Sequence, residues 1–206
     1  MPDCLKAPDA ETAVFEGCNV QIVNGVGATD STNALGNLII GYNENQSGYA
    51  RNGSHNLVVG RDHGYTSYGG FVAGKGNRIS GFYASVSGGN ANEATGDFSS
   101  VSGGSGSTAS GLDSSVSGGH SNIASGEYSN VSGGVDNEAT GNFSSVSAGF
   151  NNTASGANSS VSGGTSNTAD GDFASVSGGT NNSANGLNSS VSGGGGNRAD
   201  GASASA

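Results

Sequence analysis

Val86, Val101, Val116, Val131, Val146, Val161, Val176 and Val191 stand fifteen residues apart without a slip. Ala94, Ala109, Ala124, Ala139, Ala154, Ala169, Ala184 and Ala199 repeat in the same frame, and each unit reads approximately Ser-Val-Ser-Gly-Gly-x-x-Asn-x-Ala-x-Gly-x-x-Ser. A strict period of this length marks stacked units that cannot bury a face alone but do so against their neighbours. Gly, Ser and Asn disfavour helix interiors, so the unit is expected to fold as two short strands joined by two tight turns. Ser-Val-Ser forms the first strand and Asn-x-Ala the second, with Gly96, Gly111 and Gly126 at corners that need positive φ. The Asn column (Asn92, Asn122, Asn137, Asn152, Asn167, Asn182 and Asn197) leaves two readings open, an internal amide ladder or a plain turn preference.

Larger aliphatics carry the frame backwards, through Phe71, Leu57, Leu38 and Val20, to twelve expected coil starts. The pairs Val20/Ile22, Leu38/Ile40, Leu57/Val59 and Phe71/Ala73 alternate as strands with one face buried. Three regions follow: a lead-in over 1–19, irregular capping coils with projecting loops over 20–85, and the regular repeat over 86–206. Coils stacked about 4.8 Å apart give a rod roughly 55–60 Å long.

Composition then bears on assembly and partners. Leu, Ile, Val and Phe number 34 of 206 residues, against 40 Gly. Read without positions, that scarcity and a net charge of −10 describe disorder; the register excludes it. One Val and one Ala per coil is little burial against the entropy of ordering the coil. The expectation is a homotrimer that shares the Val86–Val191 column as a core on its axis. A single base, Arg198, against nine acids after residue 79 argues against nucleic acid, whose phosphates demand clustered Lys and Arg. No apolar run is long enough to span a bilayer, and the N-terminus lacks a secretory leader, which fits a leaderless protein, a mature form or a fragment. Cys4 and Cys18 are either bridged or two free thiols.

The runs Asn37-Leu38-Ile39-Ile40-Gly41, Asn56-Leu57-Val58-Val59-Gly60 and Ser85-Val86-Ser87-Gly88-Gly89 with its seven successors resemble the YadA-like heads of trimeric autotransporter adhesins and related bacterial and phage fibre proteins. The likeness covers about residues 12–206. It implies an all-β fold, a left-handed parallel β-roll (β-solenoid) of short coils, homotrimeric, serving as an extracellular adhesive or spacer on a cell surface or virion fibre. The family coil has fourteen residues and places Ile where this chain has Gly88, Gly103 or Gly118.

No residue set is singled out for catalysis, because the same Ser and Asn recur in every coil, and no cofactor or metal is expected. Gly194-Gly195-Gly196-Asn197-Arg198-Ala199 satisfies a dinucleotide-type pattern but is the ordinary repeat with no helix after it. Asp170 and Asp172 read as solvated turn acids. Bases and aromatics concentrate between Tyr42 and Tyr83, where extra residues at 43–55 and 61–69 are expected to project as loops. Tyr49, Arg51, His55, Arg61, His63, Tyr65 and Tyr68 are the candidate ligand contacts, suited to a glycan or a host or prey cell-surface receptor. The competing reading makes the same residues a cap over the open end of the solenoid. Phe98, Tyr128, Phe143 and Phe173, two residues after the corner Gly, either plug gaps left by Gly on the inner strand or line grooves between chains, core packing being the preferred reading. A monomeric ice- or surface-binding solenoid is the rival from another class, and an enzyme on a β-helix comes third.

Overall fold

The computed structural model describes residues 4–206. It is all-β, and its body is a parallel β-solenoid of about eleven turns. A small antiparallel hairpin, β1 (Leu5–Lys6) with β2 (Val14–Phe15), precedes it and is closed by a Cys4–Cys18 disulfide. The solenoid starts with β3 (Leu38–Ile40), β4 (Leu57–Arg61), β5 (Gly64–Tyr65), β6 (Phe71–Lys75) and β7 (Arg78–Ile79). Sixteen two-residue strands follow, alternating between Ser85–Val86 types and Glu93–Ala94 types. All pairings in the body are parallel and in register, giving one eleven-stranded and one ten-stranded sheet.

The interior is one side chain deep. Val86 to Val191 on the first sheet meet Ala94 to Ala199 on the second, and every member is at most 2% exposed in a single chain. The Val column is therefore enclosed by its own coil, which corrects its expected place on an axis between chains. Glycine makes this thinness possible. A Cβ on Gly96 would lie 2.1 Å from the Gly111 carbonyl oxygen, and one on Gly126 would lie 2.0 Å from that of Gly141. These corner glycines are needed for close approach of successive coils and not for positive φ, contrary to expectation. Positive φ falls instead on the second glycine of each pair, such as Gly89 at 84°, and on non-glycine residues such as Phe98 at 58° and Asp113 at 52°.

Scarce apolar burial is supplemented by an amide ladder, which decides between the two readings of the Asn column. Each Asn backbone N–H donates to the side-chain oxygen of the previous coil's Asn, as from Asn137 to Asn122 (3.0 Å) and from Asn152 to Asn137 (3.0 Å). The Asn137 Nδ2 donates to the carbonyls of Gly133 and Gly149, so the buried amide is satisfied on both sides. Where the column has Ser107, the Asn122 N–H donates to its hydroxyl (3.2 Å) and the chain of bonds continues.

Upstream of residue 85 the register differs from expectation by one residue. Val72 pairs with Val86 and Val58 with Val72, so Ile39, Val58 and Val72 continue the inner column, with steps of fourteen from Val58 to Val72 and from Val72 to Val86. Leu38, Ile40 and Leu57 point outward and are 36–54% exposed. A one-residue slip turns every side chain to the opposite face. Val20 starts no coil; it lies outside any strand and is exposed.

Candidate functional site

Most of the candidate contacts between Tyr42 and Tyr83 are engaged in bonds within the irregular segment and the first coils, although only His63 and Tyr65 are buried and Arg61 stays exposed. The Arg51 guanidinium donates to the carbonyls of His63 (2.8 Å), Asn43 and Glu44. Arg61 donates to Asp62 (3.2 Å), a buried carboxylate that also accepts the Gln46 N–H (2.7 Å). That backbone donor, aided by Arg61, holds the Asp62 carboxyl below its ordinary range. The Tyr49 ring lies under the Arg78 guanidinium at 5.3 Å, and Arg78 pairs with Glu93 at 2.7 Å. His55 accepts the Asn24 N–H and donates from Nδ1 to the Thr29 carbonyl.

His63 and Tyr65 belong to the interior. Residues 61–69, expected as a projecting loop, instead carry β5, the first strand of the second sheet. Tyr65 is 3% exposed there. His63, 1% exposed, stands in for an Asn in the ladder: its Nδ1 accepts the Asn77 N–H (3.3 Å) while Nε2 donates to the Val59 carbonyl (3.0 Å). Burial pushes the imidazole pKa down from its ordinary value, and these two bonds fix the proton on Nε2. Neither His63 nor Tyr65 can touch a ligand in this state, so both are reassigned from contact residues to structural ones.

Tyr68 is different, because it opens a row of exposed aromatics along one corner of the rod. It stacks on Phe82 (ring centroids 5.0 Å apart) and meets Tyr83 edge-on (5.5 Å). Tyr83 stacks on Phe98 at 5.5 Å, and Tyr128 on Phe143 at 4.9 Å. Phe98, Tyr128, Phe143 and Phe173 are 48–57% exposed, which overturns their expected core packing. The interior is already filled by Val, Ala and Ser, with no depth left for a ring. Backbone geometry fixes the display. Residues at this corner take positive φ and donate their N–H to the previous coil, as Phe98 to the Phe82 carbonyl (2.8 Å) and Tyr128 to that of Leu112 (2.8 Å). The row is the same fifteen-residue frame read at another position, so the repeat itself carried the signal.

Among the described residues no three His, Cys, Asp or Glu converge as a metal site, and no helix is long and apolar enough to cross a membrane. Comparison of the chain with protein-family models and with curated proteins finds no match. The functional reading accordingly rests on the geometry of the rod and its aromatic corner.

Proposed function

We propose that this chain is a non-enzymatic, extracellular attachment module of a bacterial surface fibre or phage tail fibre. In this reading the coils serve as a rigid spacer, and the exposed corner and capping coils meet a cell surface or glycan. The observation that carries the proposal is the row of half-exposed rings on a rod whose core is already complete. Rings held in the open on a stiff scaffold offer contact area without an ordering cost at binding.

A left-handed homotrimer belongs to the same proposal, with its interface moved from the Val column to the outer face of the first sheet. The outward positions there are Ser or Asn from Ser85 to Ser190 and Ser from Ser87 to Ser192. At the N-terminal end they become Leu38, Ile40, Leu57, Val59 and Phe71. None of the nine acids after residue 79 falls on these positions, so it is the face on which copies of an acidic chain repel least. Light scattering on the purified protein tests assembly: three times the 19.8 kDa chain mass supports it, and one chain mass removes it. A glycan-array and cell-binding screen tests attachment, with binding lost when Phe98 and Tyr128 become Ser; an intact protein that binds nothing leaves only the spacer.

One observation favours a second reading. The unbroken outer Ser column from Ser87 to Ser192, on a core closed within one chain, suits a monomeric ice- or surface-binding solenoid. Thermal hysteresis from a species of one chain mass would select it over the fibre module.

A further inference from the structure

The aromatic corner is interrupted, and its interruptions are not equivalent. Along the frame the corner residues run Tyr83, Phe98, Asp113, Tyr128, Phe143, Asn158, Phe173, Asn188 and Ser203, one per coil. Tyr83 covers one face of Phe98, and Phe143 covers one face of Tyr128. The remaining faces of Phe98 and Tyr128 turn toward the coil between them, whose corner side chain is the short, exposed Asp113. Two coil spacings put the rings about 10 Å apart. The result is an open notch with two aromatic walls and a carboxylate on its floor. Asp97 and Asp172, one place earlier in the frame, accept the N–H groups of Phe82 and Ala157. Asp113 takes part in none of the four ion pairs among the described residues. Phe143 and Phe173 build the matching notch three coils on, with neutral Asn158 on its floor.

We infer that the Phe98–Asp113–Tyr128 notch is a binding site for an alkylated ammonium group of the choline type. A cation at its centre lies about 5 Å from both rings, inside the roughly 6 Å reach of cation–π attraction. Width selects the shape of the cation. A flat guanidinium touching both rings needs them only about 7–8 Å apart, two contacts of 3.5–4.0 Å, whereas a round methylated ammonium fills the wider interval. A metal ion is disfavoured because one carboxylate supplies too few oxygen ligands. The only base after residue 79 is Arg198, already paired with Asp200, so no nearby lysine or arginine of the repeat competes. The Asn158 notch is walled by two Phe rings and lacks the carboxylate, so it holds a cation too weakly to saturate. The site uses corner residues of one chain and is independent of whether chains associate.

The test is a two-dimensional amide NMR titration of the intact protein with choline chloride and, separately, with its uncharged isostere 3,3-dimethylbutan-1-ol. Saturable shifts are expected at residues 98, 113 and 128 with choline only, and none at 143, 158 and 173. Asp113→Asn should weaken choline binding about two- to fivefold, with the rest of the spectrum unchanged. Asn158→Asp should create a second set of saturable shifts. Cosedimentation with phosphatidylcholine vesicles against phosphatidylglycerol vesicles separates sources. Retention on the former alone assigns a membrane headgroup, and choline binding without retention assigns a soluble ligand. Equal shifts with choline and the alcohol, no saturable shift with choline, or choline binding unchanged in Asp113→Asn overturns the assignment.

Discussion

The regular coils after residue 85 and the capping coils before it use the same two-sheet cross-section and hold it differently. In the regular coils the interior repeats with little variation: Val faces Ala, Asn bonds to Asn except at Ser107, and a glycine lets each corner approach the next. In the capping coils each contact occurs once, with Arg51 gathering three carbonyls, Asp62 holding the Gln46 N–H and His63 replacing an Asn. Repetition allows a solenoid to be built from small residues, because each bond is made in the same geometry by every neighbour.

The largest expected effect lies at a regular corner. Gly126→Ala places a methyl 2.0 Å from the Gly141 carbonyl oxygen and should cost about 3 kcal/mol or more in urea unfolding. Gly103→Ala should be near neutral, because nothing lies within 4 Å of that added Cβ and Ala148 already occupies the equivalent place. If the two substitutions cost the same, close approach of coils is not what fixes the corners. Next comes the ladder. Asn137→Ala leaves the buried Asn152 N–H without its acceptor and should cost about 2–3 kcal/mol, while Asn137→Ser should cost less because Ser107 sustains the ladder elsewhere.

The capping coils should differ from the regular ones in pH response. The pKa of His63 is depressed in the folded chain from an ordinary 6.5. Below that value the unfolded state binds more protons than the folded one. Stability should therefore be full above pH 6.5 and decline as pH falls toward the lower folded pKa. Urea midpoints between pH 7.5 and 5 check this, and His63→Asn should flatten the dependence on that limb. The smallest effect belongs to the regular interior. The Ser129 hydroxyl is buried without a hydrogen-bond partner, and Ala84 and Ala174 fill the same column. Ser129→Ala should be neutral or stabilising by no more than roughly 0.5 kcal/mol in urea unfolding.

The period alone located the Val and Ala columns, the two sheets and the Asn column, because residues at a fixed step must share an environment. It misplaced the upstream register because Leu38-Ile39-Ile40 and Leu57-Val58-Val59 are apolar at consecutive positions, so alternation cannot say which parity faces inward. The two fourteen-residue steps, Val58 to Val72 and Val72 to Val86, compound this. The aromatic corner was visible as a column yet read as core, since rings ordinarily go inside and nothing in the sequence states how shallow an interior walled by close-packed glycine corners will be. His63 and Tyr65 failed as contacts for the reverse reason: they lie among polar residues, and only the pairing of β5 with β7 encloses them.

The positive-φ corner has a consequence for how such a chain can change over time. From Tyr83 to Ser203 its occupants are Tyr, Phe, Asp, Asn and Ser, with no β-branched residue among them. Left-handed backbone excludes Val, Ile and Thr far more strongly than it excludes these. Within that restricted alphabet the corner is a row of display positions decoupled from the core, where one residue can replace another without disturbing the Val, Ala or Asn columns. A lineage carrying this scaffold can revise what it touches one coil at a time, and lengthen the row by duplicating fifteen residues, while its fold stays the same.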